Sequence, residues 1–181
     1  MKTLIAVVAL VLLHQPGESP RVAGQGRTTD SFYVVAGYDE ARNPFADLEL
    51  ARDRARREGK RILLQVGGDW CGWCHILDRF IQEHGAVNDR IRAGFLIMKV
   101  TFTLKNENRP FLSRYPPIPG YPHLFVLEGD GTFLHSQPTA ELEEGKSYNE
   151  QAILRFLDAW RPGATRLDTA QRRDGMDEYL E

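Results

Sequence analysis

"RILLQVGGDWCGWCHILDRFI", Arg61 to Ile81, holds both cysteines of the chain and changes periodicity in its middle. Arg61 to Val66 is a near-continuous apolar run, the pattern of a strand buried on both faces. Gly67-Gly68-Asp69 breaks it. Beyond the cysteines, Ile76, Leu77, Phe80 and Ile81 recur at helical spacing, and the pattern fades near His84-Gly85. Strand, turn and helix put Cys71 at or just before a first helical turn. There, unpaired backbone N–H groups and the positive end of the helix dipole favour a thiolate, the reactive form of cysteine. Cys74, one turn on, faces inward and is placed to resolve a mixed disulfide formed at Cys71.

The same residues admit a second chemistry. Cys71-Gly72-Trp73-Cys74 is a C-x-x-C dithiol, and with His75 it becomes the C-x-x-C-H pentad to which c-type haem is attached. Met98 is a conceivable axial ligand, but it stands inside an apolar strand run where core packing is the default. A zinc site lacks a second closely spaced ligand pair. The N-terminus bears on the choice. Lys2 precedes an unbroken apolar run, Leu4 to Leu13, which is followed by polar "HQPGESP". This is the pattern of a secretory signal peptide, since a membrane span needs roughly 18 or more apolar residues. Val22-Ala23-Gly24 offers small residues for cleavage but lies far beyond the apolar run, so retention as an uncleaved anchor is the alternative, and no cysteine near the run supports a lipid anchor. In an exported chain cysteines are usually paired. A disulfide between Cys71 and Cys74 closes so small a loop that it constrains the unfolded chain little. A bond with so little structural purpose points to one that is made and broken.

The flanks supply an α/β frame. "NPFADLELARDRAR" (43–56) predicts a helix with Phe45, Leu48, Ala51 and Ala55 on one face. "FLIMKVTF" (95–102) predicts a buried strand, and "HLFVLEGDGTFLH" (123–135) two strands about Gly129-Asp130-Gly131. "NEQAILRFLDAW" (149–160) predicts a closing helix that buries Ile153, Phe156, Leu157 and Trp160. The order gives a mixed central β-sheet flanked by helices on both faces. With 42% hydrophobic and 27% charged residues and a net charge of -2, the chain has ordinary globular composition. The Arg-rich stretch from Ala51 to Arg61 is interleaved with Asp53 and Glu58, so it reads as a solvated helix face and not as a nucleic-acid patch.

"DWCGWC" after a buried strand, together with "GYPHLFVLEGDG" (120–131), resembles the thioredoxin-like proteins, in particular their exported thiol:disulfide interchange branch. The resemblance covers roughly residues 44–161 and implies the thioredoxin fold. It implies that Cys71 is the attacking and Cys74 the resolving thiol of a redox disulfide. Trp70 is then the tryptophan flanking the nucleophile, and Pro122 the cis-proline that faces the dithiol and helps bind an extended substrate. Gly72, Trp73 and Tyr121 shape the site, and Lys99 matches the lysine common on the central strand. No bound cofactor or metal is implied. Partners would be protein thiols and disulfides, with a membrane-bound electron donor or acceptor.

The sequence departs from thioredoxin proper in three places. A buried aspartate six residues before the first cysteine is replaced by Gln65, which can act neither as acid nor as base. Lys99, water or another group must then manage the proton of Cys74. The dipeptide between the cysteines is Gly72-Trp73, not Gly-Pro, and the proline-rich stretch 111–122 leaves its helix short or absent. His75 is expected to face solvent or pack locally. His123, next to Pro122, is a candidate to tune the dithiol or a plain strand residue, and Trp73 a partner contact or a packing residue. The expected organisation is a signal peptide (1–24), an N-terminal extension (25–43), a thioredoxin-like domain (44–162) and a C-terminal tail (163–181). A non-enzymatic alternative is a thioredoxin-like binding module or folding helper using the groove around Trp70, Trp73 and Pro122 without turnover.

Overall fold

A computed structural model describes residues 31–164, so the signal-peptide segment and nearly all of the expected C-terminal tail lie outside the described residues. The elements run β1 (Tyr33–Val35), α1 (Pro44–Glu58), β2 (Arg61–Gly67), α2 (Gly72–Glu83), α3 (Gly85–Gly94), β3 (Phe95–Thr101) and α4 (Arg109–Leu112). They continue with β4 (His123–Leu127), β5 (Phe133–Pro138), a 3-10 turn (Thr139–Leu142), a ribbon of β6 (Glu143–Glu144) and β7 (Ser147–Tyr148), and α5 (Glu150–Ala159). Five strands form one sheet in the order β1-β3-β2-β4-β5. β1, β3 and β2 are parallel, while β4 runs antiparallel to β2 and β5 antiparallel to β4. This is the thioredoxin fold with helices on both faces, as expected.

Strand parity divides the core. On one face Leu63, Ile97, Leu124 and Val126 pack against Leu77, Phe80 and Ile81 of α2, Val87 and Ile91 of α3, and Ile153, Phe156 and Leu157 of α5. On the other, Ile62, Leu64, Val66, Leu96, Met98, Phe125 and Leu127 pack against Leu48, Ala51 and Ala55 of α1 and Phe111 of α4. Burial on both faces explains the unbroken apolar runs of β2 and β3. α1 begins at Asn43, whose side chain accepts from the Phe45 N–H at 3.0 Å, and stops at Gly59, which takes the left-handed φ of 64°. Its arginines pair along the helix, Arg52 with Glu49, Arg54 with Glu58 and Arg56 with Asp53. The stretch is not solvated throughout, however, since Arg54 also reaches the Ser31 and Tyr33 carbonyls and Arg61 is buried on β2 beside Glu128.

Two features were not anticipated from sequence. α3 is a helix of its own after the break at His84. β1 joins the sheet beside β3, so the fold takes in residues before 44. The helix before Pro122 is short, as expected, being the four residues of α4.

Candidate active site

β2 ends at Gly67, and the chain turns through Asp69 and Trp70 into α2. Cys71 is the N-cap of that helix in extended conformation, and its Sγ accepts from the Cys74 N–H at 3.2 Å. Cys71 and Cys74 are joined by a disulfide with their α-carbons 5.3 Å apart. The two sulfurs have different surroundings. Both are buried, but Cys71, 4% exposed, lies at the helix terminus, where the freed N–H groups stabilise negative charge on sulfur, whereas Cys74 is not exposed at all.

The glycine pair that sequence reads only as a breaker is required by close packing. A Cβ on Gly67 would fall 2.4 Å from Cys74 Sγ and 2.9 Å from the Tyr38 hydroxyl. A Cβ on Gly68 would fall 2.4 Å from Trp70 Nε1 and 2.9 Å from the Phe102 carbonyl. The Trp70 indole crosses that bare backbone and donates to the Phe102 carbonyl at 2.7 Å. The ring is still 56% exposed, large for a tryptophan and available to a partner. Tyr121 meets it edge-on at 5.5 Å and stacks on Phe102 at 4.8 Å, so an aromatic platform borders the disulfide.

The Tyr121–Pro122 peptide bond is cis. Pro122 is held from below by Thr139, whose hydroxyl donates to the Pro122 carbonyl at 2.6 Å. It immediately precedes β4, whose first residue, His123, pairs with Val66, so Pro122 and the turn after β2 share one end of the sheet. His123 itself lies on the other face. Its partner Val66 belongs to the α1 side of the core, and the imidazole packs on Phe125 at 4.6 Å and contacts Ser136 Oγ at 2.8 Å. Strand alternation thus turns His123 away from the α2 face that Cys74 enters. Burial, reinforced by His135, pulls its pKa down to about 4, and the ring stays neutral at physiological pH.

Beneath the disulfide lies a buried polar cluster. Gln65 and Lys99 are register partners on β2 and β3 and face α2. Asp78, four residues after Cys74 and on the same helix face, accepts from Lys99 Nζ at 2.5 Å and from Gln65 Nε2 at 3.0 Å. Gln65 Nε2 also donates to the Tyr38 hydroxyl at 3.2 Å. Lys99 Nζ sits 4.9 Å from the Tyr38 ring centre and 5.6 Å from that of Tyr33. The carboxylate missing at Gln65 is therefore delivered from the helix instead of the strand. Sequence reasoning named Lys99 and Gln65 but missed Asp78 and Tyr38. A lysine in an apolar strand demands an acid, and the position one turn beyond Cys74 was the place to look.

Trp73 packs inward, edge-on to Tyr148 at 5.6 Å, while the Tyr148 hydroxyl donates to the Trp73 carbonyl at 3.4 Å. His75 folds back, its Nε2 2.8 Å from the Asp69 carbonyl. The haem alternative fits this arrangement poorly. His75 stands on α2, whereas Met98 packs on the opposite face of the sheet.

A thioredoxin-like family model matches residues 43–129. The chain is 32% identical over 113 residues to a thiol:disulfide interchange protein DsbD of Pseudomonas fluorescens, covering 62% of this chain and 19% of that protein. A second DsbD, of a Pseudomonas species, is 27% identical over 117 residues, covering 64% of this chain and 18% of that protein. The chain thus spans about a fifth of the length of these curated relatives. Among solved structures, a disulphide isomerase from Xylella fastidiosa superposes with a TM-score of 0.58 at 24% identity, covering 67% of this chain and 93% of that one. The oxidised C-terminal domain of Neisseria meningitidis DsbD gives 0.50 at 17% identity, covering 70% and 100%. At these identities the structural likeness speaks for the fold, while the sequence matches carry the kinship. Over residues 43–129, which hold the dithiol at the N-terminus of α2, the chain is similar to the thioredoxin-like family, and the relatives it matches in sequence are thiol:disulfide interchange proteins.

Proposed function

We propose that this chain is an exported, periplasmic thiol:disulfide oxidoreductase that exchanges disulfides with proteins through Cys71 and Cys74. One observation carries the reading: the two cysteines are bonded across the first turn of a helix, one at its positive end and the other wholly buried above an ionic cluster. In the reduced protein the Cys71 thiolate attacks a substrate disulfide. A Cys71–substrate bond forms, and the displaced substrate sulfur leaves with the electron pair. Cys74, deprotonated, then attacks Cys71 Sγ, re-forms the internal disulfide and releases the second substrate thiolate. Reversing the steps oxidises a substrate dithiol. Asp78, backed by Lys99, is the group that takes up the Cys74 proton, the part Gln65 cannot play. Trp70, Tyr121 and Pro122 border the dithiol and hold an extended substrate segment, with Gly72 exposed between the two cysteines. Export rests on Lys2 and the apolar run from Leu4 to Leu13. A membrane-bound protein of the same chemistry supplies or removes the electrons.

The test is turnover of a disulfide-bearing protein, such as insulin in the presence of dithiothreitol. Wild type should accelerate reduction well above the reagent alone. Cys71→Ser should abolish the acceleration, and Cys74→Ser should accumulate a mixed disulfide visible by intact mass. Partner binding indifferent to both cysteines, with no acceleration, would instead establish the binding module. Equilibration across graded glutathione ratios assigns direction: a potential close to about -270 mV makes a donor-fed reductant, one near about -120 mV an oxidant.

A further inference from the structure

The segment between β1 and α1 lies before the region that the family model matches, and nothing in the exchange steps above uses it. Tyr38, in that segment, nevertheless places its hydroxyl over Gly67, beside the resolving sulfur's own position there. Its hydroxyl and Cys74 Sγ converge on the same bare α-carbon, each inside the 3.0 Å that a Cβ on Gly67 would need. Sulfur and hydroxyl therefore both border the space over Gly67 that a side chain there would fill, and no side chain on Gly67 separates them.

The hydroxyl is also oriented. The Gln65 amide is fixed because its Nε2 donates to the Asp78 carboxylate, which can only accept. The same Nε2 donates to Tyr38 Oη, so one lone pair of the phenol is occupied. Among the described residues no acceptor is paired with the Tyr38 proton. Burial and the negative charge of Asp78 push the phenol well above its ordinary range, so it remains a donor throughout the working pH range.

We infer that the Tyr38 hydroxyl is a hydrogen-bond donor to the resolving sulfur, stabilising the thiolate that Cys74 becomes whenever the disulfide opens. The inference rests on the exchange reading above. When an external thiolate attacks Cys71 Sγ, a bond forms between those two sulfurs and the Cys71–Cys74 bond breaks. The electron pair passes to Cys74 Sγ, and Tyr38 meets it with its proton still covalently bound. In the opposite direction the same contact holds Cys74 as thiolate for its attack. The charged and titratable groups around the Tyr38 phenol are Asp78 of α2, Lys99 of β3, Tyr33 of β1 and Asp69 of the turn, and of these Asp78 and Lys99 are paired with each other. A neutral donor at the sulfur is what that arrangement still requires.

The deciding variant is Tyr38→Phe, which keeps the ring beside Lys99 and removes only the hydroxyl. In a Cys71→Ala background, the Cys74 ionisation is followed by its 13Cβ shift against pH. Its midpoint should rise by about one unit on Tyr38→Phe, a tenfold loss of acidity. With both cysteines present, opening of the disulfide by dithiothreitol should slow by roughly threefold or more. An unmoved midpoint and an unmoved opening rate, with an unchanged melting temperature, overturn the inference. If Tyr38→Phe does not fold, 13Cζ-labelled tyrosine in the unsubstituted protein replaces it. The Tyr38 signal should shift on reduction and follow the Cys74 titration, and a static signal overturns the contact. An inactive wild type in the insulin assay would instead sink the exchange reading, which these titrations do not measure.

Discussion

Removing the Asp78 carboxylate separates what the buried ion pair does for stability from what it does for chemistry. Lys99 Nζ and Asp78 Oδ2 are 2.5 Å apart, with side chains only 7% and 17% exposed. At an effective dielectric of about 20, two charges this close attract by roughly 5–7 kcal/mol, most of it consumed by desolvating both. Asp78→Asn keeps an oxygen for Gln65 but leaves Lys99 charged and unmatched, which should cost about 3 kcal/mol. Removing both charges, in Asp78→Asn with Lys99→Met, should recover all but about 1 kcal/mol, because a neutral buried pair has no desolvation debt to offset. Urea unfolding of the two single variants and the double variant closes the cycle and should give a coupling of roughly 2 kcal/mol or more. Disulfide exchange should be slow in Asp78→Asn and remain slow in the stable double variant, since neither offers a carboxylate to the Cys74 proton. A cost below about 0.5 kcal/mol for Asp78→Asn would show the pair to be worth no more than a surface one. Full exchange in the double variant would refute the assignment of Asp78 to the proton.

Acid should weaken the fold through His123. Its native pKa of about 4 lies below the roughly 6.5 of a free imidazole. Between those values the unfolded chain binds a proton that the native state does not, so this contribution is complete above about pH 6.5 and declines as pH falls towards 4. The decline reaches at most about 3 kcal/mol, and His123→Phe should remove it; urea midpoints at pH 7 and 4.5 that differ equally in variant and wild type would count against this. Gly67→Ala should cost about 1–3 kcal/mol by overpacking against the fixed Cys74 sulfur, read as a lowered melting temperature. An unchanged melting temperature would show that Tyr38 yields freely.

The elements that announced themselves did so because their burial pattern was simple. β2 and β3 are buried at every position, and α2 repeats Leu77, Phe80 and Ile81 on one face. α3 buries only Val87, Ile91 and Gly94 and is bounded by glycines, so its sequence looks like a fading end of α2. β1 has three residues, too few to show an alternation. The cysteines, Trp70 and Pro122 were legible because motif spacing carries them. The polar cluster was not, because it is assembled by register. Only the pairing of Gln65 with Lys99 shows that the two lie side by side, and only the phase of α2 brings Asp78 over both. Tyr38 offered no local signal, since it precedes Cys74 by a whole helix and strand.

The roles proposed for the two sulfurs depend on the rotation of one helix, and that rotation is fixed from outside the motif. Cys71 must stay at the N-cap to meet the N–H of residue 74, and Cys74 must point at Gly67 to reach Tyr38 and the face of Asp78. A turn of α2 about its axis by a few tens of degrees would spoil both. Trp73 resists that turn: it stands between the cysteines and is pinned edge-on to Tyr148, whose hydroxyl also holds the Trp73 carbonyl. Tyr148 in turn packs edge-on to Phe80 two turns along α2, so one side chain from β7 grips the helix at two heights. The dipeptide between the cysteines thus serves the site from the core side. A bulky aromatic there is compatible with exchange because it packs against the core cluster, half-buried, while Gly72 beside it is exposed at the surface.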